Sequence, residues 1–427
     1  MSGMWKKKAA LRAMGRAALS AVLWCCAPVA PVHAADPVKV GLSLALTGGV
    51  AANGKQLLAA LEIWRDDVNA KGGLLKRPVE LVYYDDQSNP STVPGIYTKL
   101  ISVDKVDALL GPYATNMVAP AMPIIMQSER TTISLLAIGI NNHFKYPRYF
   151  SMVPVGPNGP GAFSDGFFAL AAAQQPKPRT VAIVAADAEF ARTAADAARV
   201  NAQAEGFTVI HDKSYPPSTA DFAPVMRAVA AADADIVYVA AYPPDNVGIV
   251  RAAAEIGLSP KMFGGAMIGL LVTPIKVQLG PIENGIIVGE SFVPALQSKF
   301  PGLADLLKRY QARAGALGAD PLGIGFVPFG YAAGQVLAQS VAGTNGFDDS
   351  KRADYMRSHT FATVVGDIAF GSDGEWAKSR TFFTQFQKVA PNDVEQFRDG
   401  AKQVILWPPE FKTGDIIYPY AKARRAD

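Results

Sequence analysis

The chain has 427 residues, of which 50% are hydrophobic, with 38 glycines and 31 prolines. At typical domain sizes of ~100–200 residues this composition supports more than one packed core, and it excludes a disordered or collagen-like chain. Of the 41 basic and 37 acidic residues, five basic and no acidic ones lie in the first 34 positions, so the rest of the chain has 36 against 37 and a net charge of −1.

The first 34 residues have the pattern of a secretory signal peptide. A positively charged start, Lys6–Arg16, precedes the apolar stretch Ala17–Ala30 and the small-x-small site Val32–Ala34. A membrane-spanning helix needs ~20 apolar residues, whereas Pro28 and Pro31 interrupt this stretch. We therefore expect cleavage after Ala34 and a periplasmic location.

Cys25 and Cys26, the two cysteines of the sequence, leave with the signal peptide. The exported chain then has no disulfide and no cysteine metal site. Its histidines, His143, His211 and His359, lack the spacing of metal ligands, so we expect no metal and no cofactor. Without a basic stripe, we also expect no binding to nucleic acid or to an anionic membrane surface.

Predicted strands and helices alternate from Val38 onward. Continuous apolar runs predict strands, and apolar residues at helical spacing predict helices. Such β-α-β runs form parallel sheets with helices on both faces. The predicted elements of this first run are a strand at Val38–Ala45, a helix through Leu57–Val68, a strand at Val79–Tyr84, a helix after Ser91, a strand at Ala108–Leu110, a helix at Val118–Gln127 and a strand at Thr132–Leu136.

The pattern restarts after a stretch rich in proline and glycine, Val153–Gly161, which predicts a linker. A second, similar α/β lobe is therefore expected. Its predicted elements are strands at Thr180–Ala185, Phe207–Ile210, Ile236–Ala240 and Lys261–Gly264 and helices at Ala194–Ala204, Phe222–Ala231 and Val247–Ile256.

The remainder of the chain, from Gly285, has too few elements for a third sheet. We expect these elements to complete the first two lobes. They are a strand at Ile286–Val288, helices around Leu303–Ala312 and Gly330–Val341, and strand-like pieces near Val364 and Val404.

No motif typical of an enzyme is present in the sequence. It lacks H-E-x-x-H, C-x-x-C and G-x-S-x-G. Asp85 and Asp86 directly follow the predicted strand Val79–Tyr84, and neighbouring residues of an extended chain point to opposite faces, so we expect no acid/base pair here. We expect a binding protein without catalytic residues.

Ligands of open α/β sheets bind beyond the carboxyl ends of the strands. In this chain those positions are occupied by Thr47–Gly49, Gly111–Asn116 and Ser134–Ala137. The first turn has no Walker lysine pattern and no G-x-G-x-x-G, which argues against a phosphate ligand. The sequence thus predicts a site for another kind of small-molecule solute.

Stretches along nearly the whole mature chain are similar, in the expected order, to the leucine/isoleucine/valine-binding protein family. They include GLSLALTGG, DDVNAKGGLLKRPVELVYYDDQSNP, VDALLGPYAT, AIVAADAEFARTAADAA, TADFAPVMRAVAAADADIVYVAAYPPD and VILWPPEFKTGDIIYPY. These are periplasmic solute-binding proteins of ABC importers. The resemblance implies an α/β fold of two Rossmann-like lobes with parallel-rich sheets, joined by a three-crossing hinge in the type I arrangement.

The resemblance also implies how the lobes are divided along the chain. Lobe 1 is expected at residues 35–154 plus 293–366 and lobe 2 at residues 155–292 plus 367–427, after the signal peptide at 1–34. The lobes are expected to close over a solute and then to meet the membrane permease of an ABC importer, with the protein acting as a monomer.

Carried over position by position, the family's ligand contacts are implied at twelve residues. Thr115 matches the hydroxyl that takes a ligand carboxylate, Ile138 keeps only a backbone donor, and Tyr242 matches an aromatic wall. Phe326 and Phe329 are possible further apolar walls, with core packing as the alternative. The implied ligand-binding residues are Thr47, Asn53, Tyr113, Ala114, Thr115, Leu136, Ala137, Ile138, Phe190, Tyr242, Ala266 and Met267.

The expected ligand follows from one departure from the family pattern. Amino-acid binders tend to have an acidic partner for the ligand ammonium where this chain has Ala266 and Met267. We therefore expect an organic acid without an α-amino group, plausibly aromatic. The alternatives are a branched-chain amino acid paired with Asp245 or Glu290, a ligand sensor of the same fold, and an exported hydrolase.

The signal peptide can be tested directly. The exported protein should begin within a residue or two of Ala35 and contain no cysteine, because charge, length and cleavage site agree. Intact-mass measurement on the exported protein checks this, and a mature chain that retains Cys25 or Cys26 would contradict it.

Overall fold

The computed structural model describes residues 36–424. The predicted signal peptide and its cleavage site lie outside the described residues. Within residues 36–424, no helix combines the length and apolar character needed to cross a membrane.

The first lobe is built on a sheet of five parallel strands. Strands such as Val38–Leu44 and Ala108–Tyr113 are apolar and almost fully buried, as expected when helices cover both faces. Its elements are β1 (Val38–Leu44), α1 (Ala51–Ala70), β2 (Val79–Asp85), α2 (Val93–Ser102), β3 (Ala108–Tyr113), α3 (Thr115–Gln127), β4 (Thr132–Leu135), α4 (Ile140–Phe144) and β5 (Tyr149–Ser151). The strand order is β2-β1-β3-β4-β5.

The second lobe repeats this arrangement. Its elements are α5 (Asp165–Ala172), β6 (Thr180–Ala186), α6 (Glu189–Ala204), β7 (Thr208–Tyr215), α7 (Ala223–Ala231), β8 (Ile236–Ala241), α8 (Pro243–Glu255), β9 (Met262–Met267), α9 (Thr273–Leu279) and β10 (Ile287–Glu290). In this lobe β6 to β10 are mutually parallel.

The C-terminal part of the chain returns to both lobes. Its elements are α10 (Leu303–Leu317), α11 (Val327–Thr344), α12 (Asp349–Ser358), β11 (Thr360–Thr363), β12 (Gly366–Ala369), β13 (Phe382–Phe386), β14 (Gln403–Trp407) and α13 (Tyr420–Ala423). Strand β13 pairs antiparallel with β10, and β14 pairs antiparallel with β13, which gives a seven-stranded sheet of order β14-β13-β10-β9-β8-β6-β7.

Ionic contacts attach the late helices to the first lobe. Asp67 of α1 accepts hydrogen bonds from Arg309 of α10 at 2.6 and 2.8 Å and from the Tyr331 hydroxyl of α11 at 2.7 Å. Asp349 of α12 accepts from Arg130 Nε at 2.8 Å. The first lobe is therefore assembled from two separate parts of the chain.

One expectation for the C-terminal part is wrong. The C-terminal elements were expected to be too few for a third sheet, but β11 and β12, near Val364, pair with each other as a separate two-stranded antiparallel sheet. The reason is the tight turn at Val364–Gly366, where Gly366 has a φ of +86° and reverses the chain. The piece near Val404 does join the second sheet, as β14.

The lobe boundaries stay a prediction. Contacts made by the chain after β12 concern the third predicted crossing between the lobes, at residues 366–367. The N–H of Ser151 in β5 donates to the carbonyl of Gly374 at 2.9 Å, and Asn141 donates to the carbonyl of Asp373 at 2.7 Å. The N–H of Arg380 donates to Pro154 at 2.8 Å. The segment around residues 373–380 thus packs against the end of the first lobe.

Glu375 in this segment is a buried carboxyl group. The residue is 3% exposed, and neither carboxylate oxygen has a hydrogen bond of regular geometry within residues 36–424, the neighbouring Ser151 hydroxyl giving only a small opposing effect on the pKa. Burial raises its pKa from 4.5 to about 8, and the nearby negative charge of Asp373 adds to the increase. The folded protein therefore keeps a proton on Glu375 that the unfolded chain releases above pH ~4.3.

We expect this proton to make stability depend on pH. Because the pKa is raised in the folded state, its contribution is present at low pH and is lost as pH rises through about 8. Glu375→Gln should remove this loss and raise the melting temperature at pH 8.5 more than at pH 5.5. Thermal denaturation at both pH values measures it; Glu80→Gln, at an exposed position, should behave like the wild type. An equal effect of Glu375→Gln at both pH values would contradict the assignment.

Two helical glycines offer a matched test of packing. In α1, a Cβ on Gly54 would lie 2.0 Å from the carbonyl oxygen of Ala45, whereas a Cβ on Gly95 in α2 would have no heavy atom within 4 Å. Alanine is the better helix former at both positions by ~1 kcal/mol. Gly54→Ala should nevertheless lower the melting temperature, by roughly 5 °C or more, while Gly95→Ala should keep or slightly raise it. Equal shifts would show that α1 does not approach β1 this closely.

Candidate functional site

A cavity lies between the two lobes, at the carboxyl ends of strands from both sheets. It encloses about 500 Å³ of space between protein atoms, including the part open to solvent, which is in the range of small-molecule sites. Its walls consist of Tyr113, Ala114, Thr115, Leu136, Ile138, Phe163, Phe190, Tyr242, Ile268, Leu271, Ser291, Gly325 and Phe326.

Thr115 is placed on the first wall by the sharp turn from β3 into α3. The turn residue Ala114 has a φ of +75°, and α3 begins at Thr115. The Thr115 hydroxyl oxygen accepts a hydrogen bond from the N–H of Ile138 at 3.0 Å. The backbone donor of Ile138 that the sequence assigned to a ligand is thus occupied, and the Thr115 hydroxyl hydrogen remains available.

Tyr113 stands beside Thr115 at the end of β3. Its hydroxyl accepts a hydrogen bond from Asn53 Nδ2 at 2.6 Å, and its ring contacts Phe326 edge to face at 5.7 Å between centroids. Burial raises the pKa of Tyr113 well above its ordinary value of 10. The phenol therefore stays protonated at physiological pH and is available as a neutral donor.

The second wall is aromatic. Phe190, at the start of α6, contacts Phe163 and Tyr242 edge to face with centroid distances of 5.7 and 5.8 Å. The Tyr242 hydroxyl accepts a hydrogen bond from the N–H of Phe190 at 3.2 Å. Burial also raises the pKa of Tyr242 above its usual range, so this phenol is neutral as well.

None of the thirteen wall residues carries an ionisable acid or base of the Asp, Glu, His, Lys or Arg type. The two carboxylates considered as ammonium partners are engaged elsewhere. Asp245 accepts from the Tyr215 hydroxyl at 2.9 Å. Glu290 accepts from Thr384 and Gln403, both at 2.6 Å. Burial raises the pKa of both carboxyl groups, which disfavours their charged forms.

Seven of the twelve sequence-predicted residues line the cavity, and five do not. Thr47 is exposed and donates to Asp85 Oδ2 at 2.7 Å, because Asp85 organises that turn through several hydrogen bonds. Asn53 lies behind Tyr113 and is fully buried. Ala137, Ala266 and Met267 are buried in the core away from the cavity wall. The seven that line it are Tyr113, Ala114, Thr115, Leu136, Ile138, Phe190 and Tyr242; their contact with a ligand stays a prediction.

Sequence reasoning missed most of the second wall. Ile268 and Leu271 follow β9, whereas the contacts predicted for this stretch, Ala266 and Met267, are the last two residues of that strand. Ser291 directly follows β10 and lies next to the predicted lobe boundary between residues 292 and 293, and this position was the available signal. Phe326 was raised as a possible wall and lines the cavity, whereas Phe329 packs against Trp376 in the core. The remaining missed residues are Phe163 and Gly325.

A second, wider recess adjoins the cavity at Thr115 and Ile138. It has a volume of about 990 Å³ including its solvent-open part. Its wall mixes apolar residues with the polar side chains of His143, Glu189 and Thr193. Among the described residues, no group of three or more His, Cys, Asp or Glu side chains is placed to hold a metal ion.

Two facing α/β lobes with an uncharged cavity between them define a two-lobed solute receptor. The model of the periplasmic binding protein family matches residues 37–391. The chain belongs to this family, whose members bind solutes and are not enzymes. It is a periplasmic solute-binding protein of the ABC-transporter type.

Individual relatives agree with this assignment. The leucine-, isoleucine-, valine-, threonine- and alanine-binding protein of Pseudomonas aeruginosa is 24% identical over 344 residues, which cover 80% of this chain and 88% of the relative. The Leu/Ile/Val-binding protein of Citrobacter freundii is 25% identical over 349 residues, covering 80% and 88%.

Solved structures share the fold. A solute-binding protein of an ABC transporter from R. palustris, solved with 4-hydroxybenzoate, superposes with a TM-score of 0.70 at 21% identity and covers 83% of this chain and 94% of its own. A leucine-binding protein from Thermotoga maritima superposes with a TM-score of 0.69 at 18% identity, covering 83% and 99%. The expected type I fold with two parallel-rich lobes is thereby confirmed.

Proposed function

We propose that this protein captures a small aromatic acid without an α-amino group and delivers it to the permease of an ABC importer. The observation that carries the proposal is the absence of any Asp or Glu from the thirteen residues that line the cavity. Hinge closure of the two lobes traps the solute, and the protein acts as an exported monomer that binds no nucleic acid.

The missing acid disfavours amino acids. An α-ammonium group buried between the lobes loses its hydration, and an unpaired buried charge costs several kcal/mol. Such a cost is enough to abolish micromolar binding. The two carboxylates considered as ammonium partners, Asp245 and Glu290, are outside the wall and already hydrogen-bonded.

A carboxylate, in contrast, has donors available at Thr115. The hydroxyl hydrogen of Thr115 is free, and α3 begins at this residue, so the first backbone N–H groups of a 13-residue helix point toward the same region. A helix start favours a negative charge without supplying a positive side chain.

The remainder of the wall suits a planar ring. Phe163, Phe190, Tyr242 and Phe326 form aromatic surfaces around the space, and aromatic rings pack edge to face at such distances. Structural neighbours from Rhodopseudomonas palustris strains were solved with p-hydroxybenzoic acid and with 3,4-dihydroxybenzoic acid. These ligands belong to those proteins, and they support the proposal as examples of what this fold can hold.

A branched-chain amino acid is the second candidate. The observation in its favour is that the relatives from P. aeruginosa and C. freundii are named as binders of such amino acids, and a neighbour from Streptococcus pneumoniae was solved with isoleucine. It requires an ammonium partner that the cavity wall of this chain lacks. A sensor that passes the ligand signal to another protein has the same binding requirements and differs only in its partner.

Calorimetry with benzoate, cinnamate and leucine tests the proposal. An aromatic acid should bind with micromolar or better affinity, and leucine should not bind. Thr115→Val should weaken aromatic-acid binding at least tenfold, because it removes a donor and leaves the Ile138 N–H unpaired, whereas Thr115→Ser should remain within a few-fold of the wild type.

Tight leucine binding without any response to aromatic acids would overturn the proposed ligand and leave the transport class intact. Recovery of a chemically altered solute after incubation would instead contradict the assignment as a binding protein.

A further inference from the structure

In two hydroxyl groups on opposite walls of the cavity, the oxygen accepts a hydrogen bond from a backbone N–H. Thr115 Oγ1 accepts from the N–H of Ile138 at 3.0 Å on the first lobe. Tyr242 Oη accepts from the N–H of Phe190 at 3.2 Å on the second lobe. Because a backbone N–H can only donate, each hydroxyl oxygen must be the acceptor, and its own hydrogen points elsewhere.

Neither of these hydrogens has an acceptor within the described part of the chain, residues 36–424. Thr115 is 2% exposed, and Tyr242 is partly buried within the aromatic wall. Buried hydroxyl groups in proteins are nearly always hydrogen-bonded, and one left without an acceptor is costly. Both hydroxyls lie at the cavity wall, so a group that enters the cavity can accept from them.

Tyr242 keeps its hydrogen over the whole physiological pH range. Burial raises its pKa well above 10. Ionisation therefore does not remove the hydroxyl hydrogen, and a group across from it satisfies this hydrogen only by accepting.

We infer that the ligand carries two separate hydrogen-bond acceptors, one for each lobe, and that Tyr242 is the residue that selects for the second. This inference rests on the proposed function, in which the carboxylate of an aromatic acid occupies the Thr115 side. The second acceptor is a ring substituent such as a carbonyl, an ether or a second carboxylate.

The same geometry explains which substituents are rejected. An alkyl group next to Tyr242 leaves its hydroxyl hydrogen without an acceptor in a water-poor space. A substituent that only donates, such as an ammonium group, leaves the Tyr242 hydrogen without an acceptor and has no carboxylate in the wall to accept from it. A ligand substituent that accepts from Tyr242 avoids the cost of both cases. It therefore increases affinity and also discriminates against alkyl and donor-only substituents.

The test compares ligands of similar size that differ in one acceptor. Calorimetry measures the Kd of 4-acetylbenzoate against 4-isopropylbenzoate, and of 3-acetylbenzoate against 3-isopropylbenzoate, with benzoate as reference. For the wild type, the acetyl compound should bind at least fivefold more tightly than its isopropyl counterpart in one of the two pairs, the size expected for one net hydrogen bond.

The matched variants assign the preference to one hydroxyl group. Tyr242→Phe should bring the acetyl-to-isopropyl ratio to about one or reverse it. Tyr97→Phe removes a buried hydroxyl that donates to Leu110 at 2.7 Å away from the cavity, and it should keep the wild-type ratio. Because each ratio is measured within one protein, a general loss of stability in a variant does not change its meaning.

The outcomes separate this inference from the proposed function. If benzoates bind but neither pair shows a preference, or if the preference survives Tyr242→Phe, the inference is overturned while the aromatic-acid assignment stands. If no benzoate binds and leucine does, the proposed function fails and the inference fails with it.

Discussion

The cost of burying an unpaired charge or polar hydrogen governs this structure. Between closed lobes, water is largely excluded, and each group in the cavity needs a partner from the protein or the ligand. The chain meets this requirement by having no ionisable acid or base on the cavity wall and by engaging Asp245 and Glu290 in hydrogen bonds elsewhere. Hydroxyl groups, including those of Thr115 and Tyr242, are the polar side-chain groups that the wall offers to a solute.

The parallel sheets explain why these hydroxyls meet. Strands of a parallel sheet all end at the same edge, so β3 and β4 of one lobe and β8 and β9 of the other deliver their following residues to one cleft. The return of α10 and α11 to the first lobe, fixed by Asp67 with Arg309 and Tyr331, adds Gly325 and Phe326 to the same wall. The cavity therefore depends on contacts between residues hundreds of positions apart.

The sequence predicted buried elements well and exposed ones poorly. Strand β1 was predicted within one residue because its apolar run is continuous and both faces are covered. Strand β7 was predicted only at Phe207–Ile210, but it extends to Tyr215, since it is an edge strand whose polar residues face water. Strand β5 is three residues long, too short for any periodicity to be recognised.

Cavity-lining residues were predicted best where they follow a well-predicted strand. Those next to a strongly predicted strand, such as Thr115 and Ile138, were found, whereas Phe163 and Ser291 lie in irregular segments that reach the cavity only through the tertiary fold. Thr47 resembles a ligand contact in sequence, but the adjacent strand supplies Asp85, and a carboxylate that accepts three backbone N–H groups and the Thr47 hydroxyl holds that turn by itself. The local sequence around Thr47 does not reveal whether its hydroxyl donates to a ligand or to Asp85.

Close approach of the two lobes gives the polar contacts their effect. A Cβ on Gly139 would lie 3.2 Å from side-chain atoms of Pro160 and Thr193, and one on Gly49 would lie 3.8 Å from Pro244. The proposed closure removes water from the hydroxyl groups of Thr115 and Tyr242 at the same time. The walls therefore come together favourably only when both hydroxyls find an acceptor in the cavity. A ligand shifts the open-closed equilibrium only by its difference in affinity for the two states. In the proposed closure, a solute that bridges both walls binds the closed state more tightly than one that reaches a single wall, and recognition and closure then depend on the same pair of hydroxyl groups.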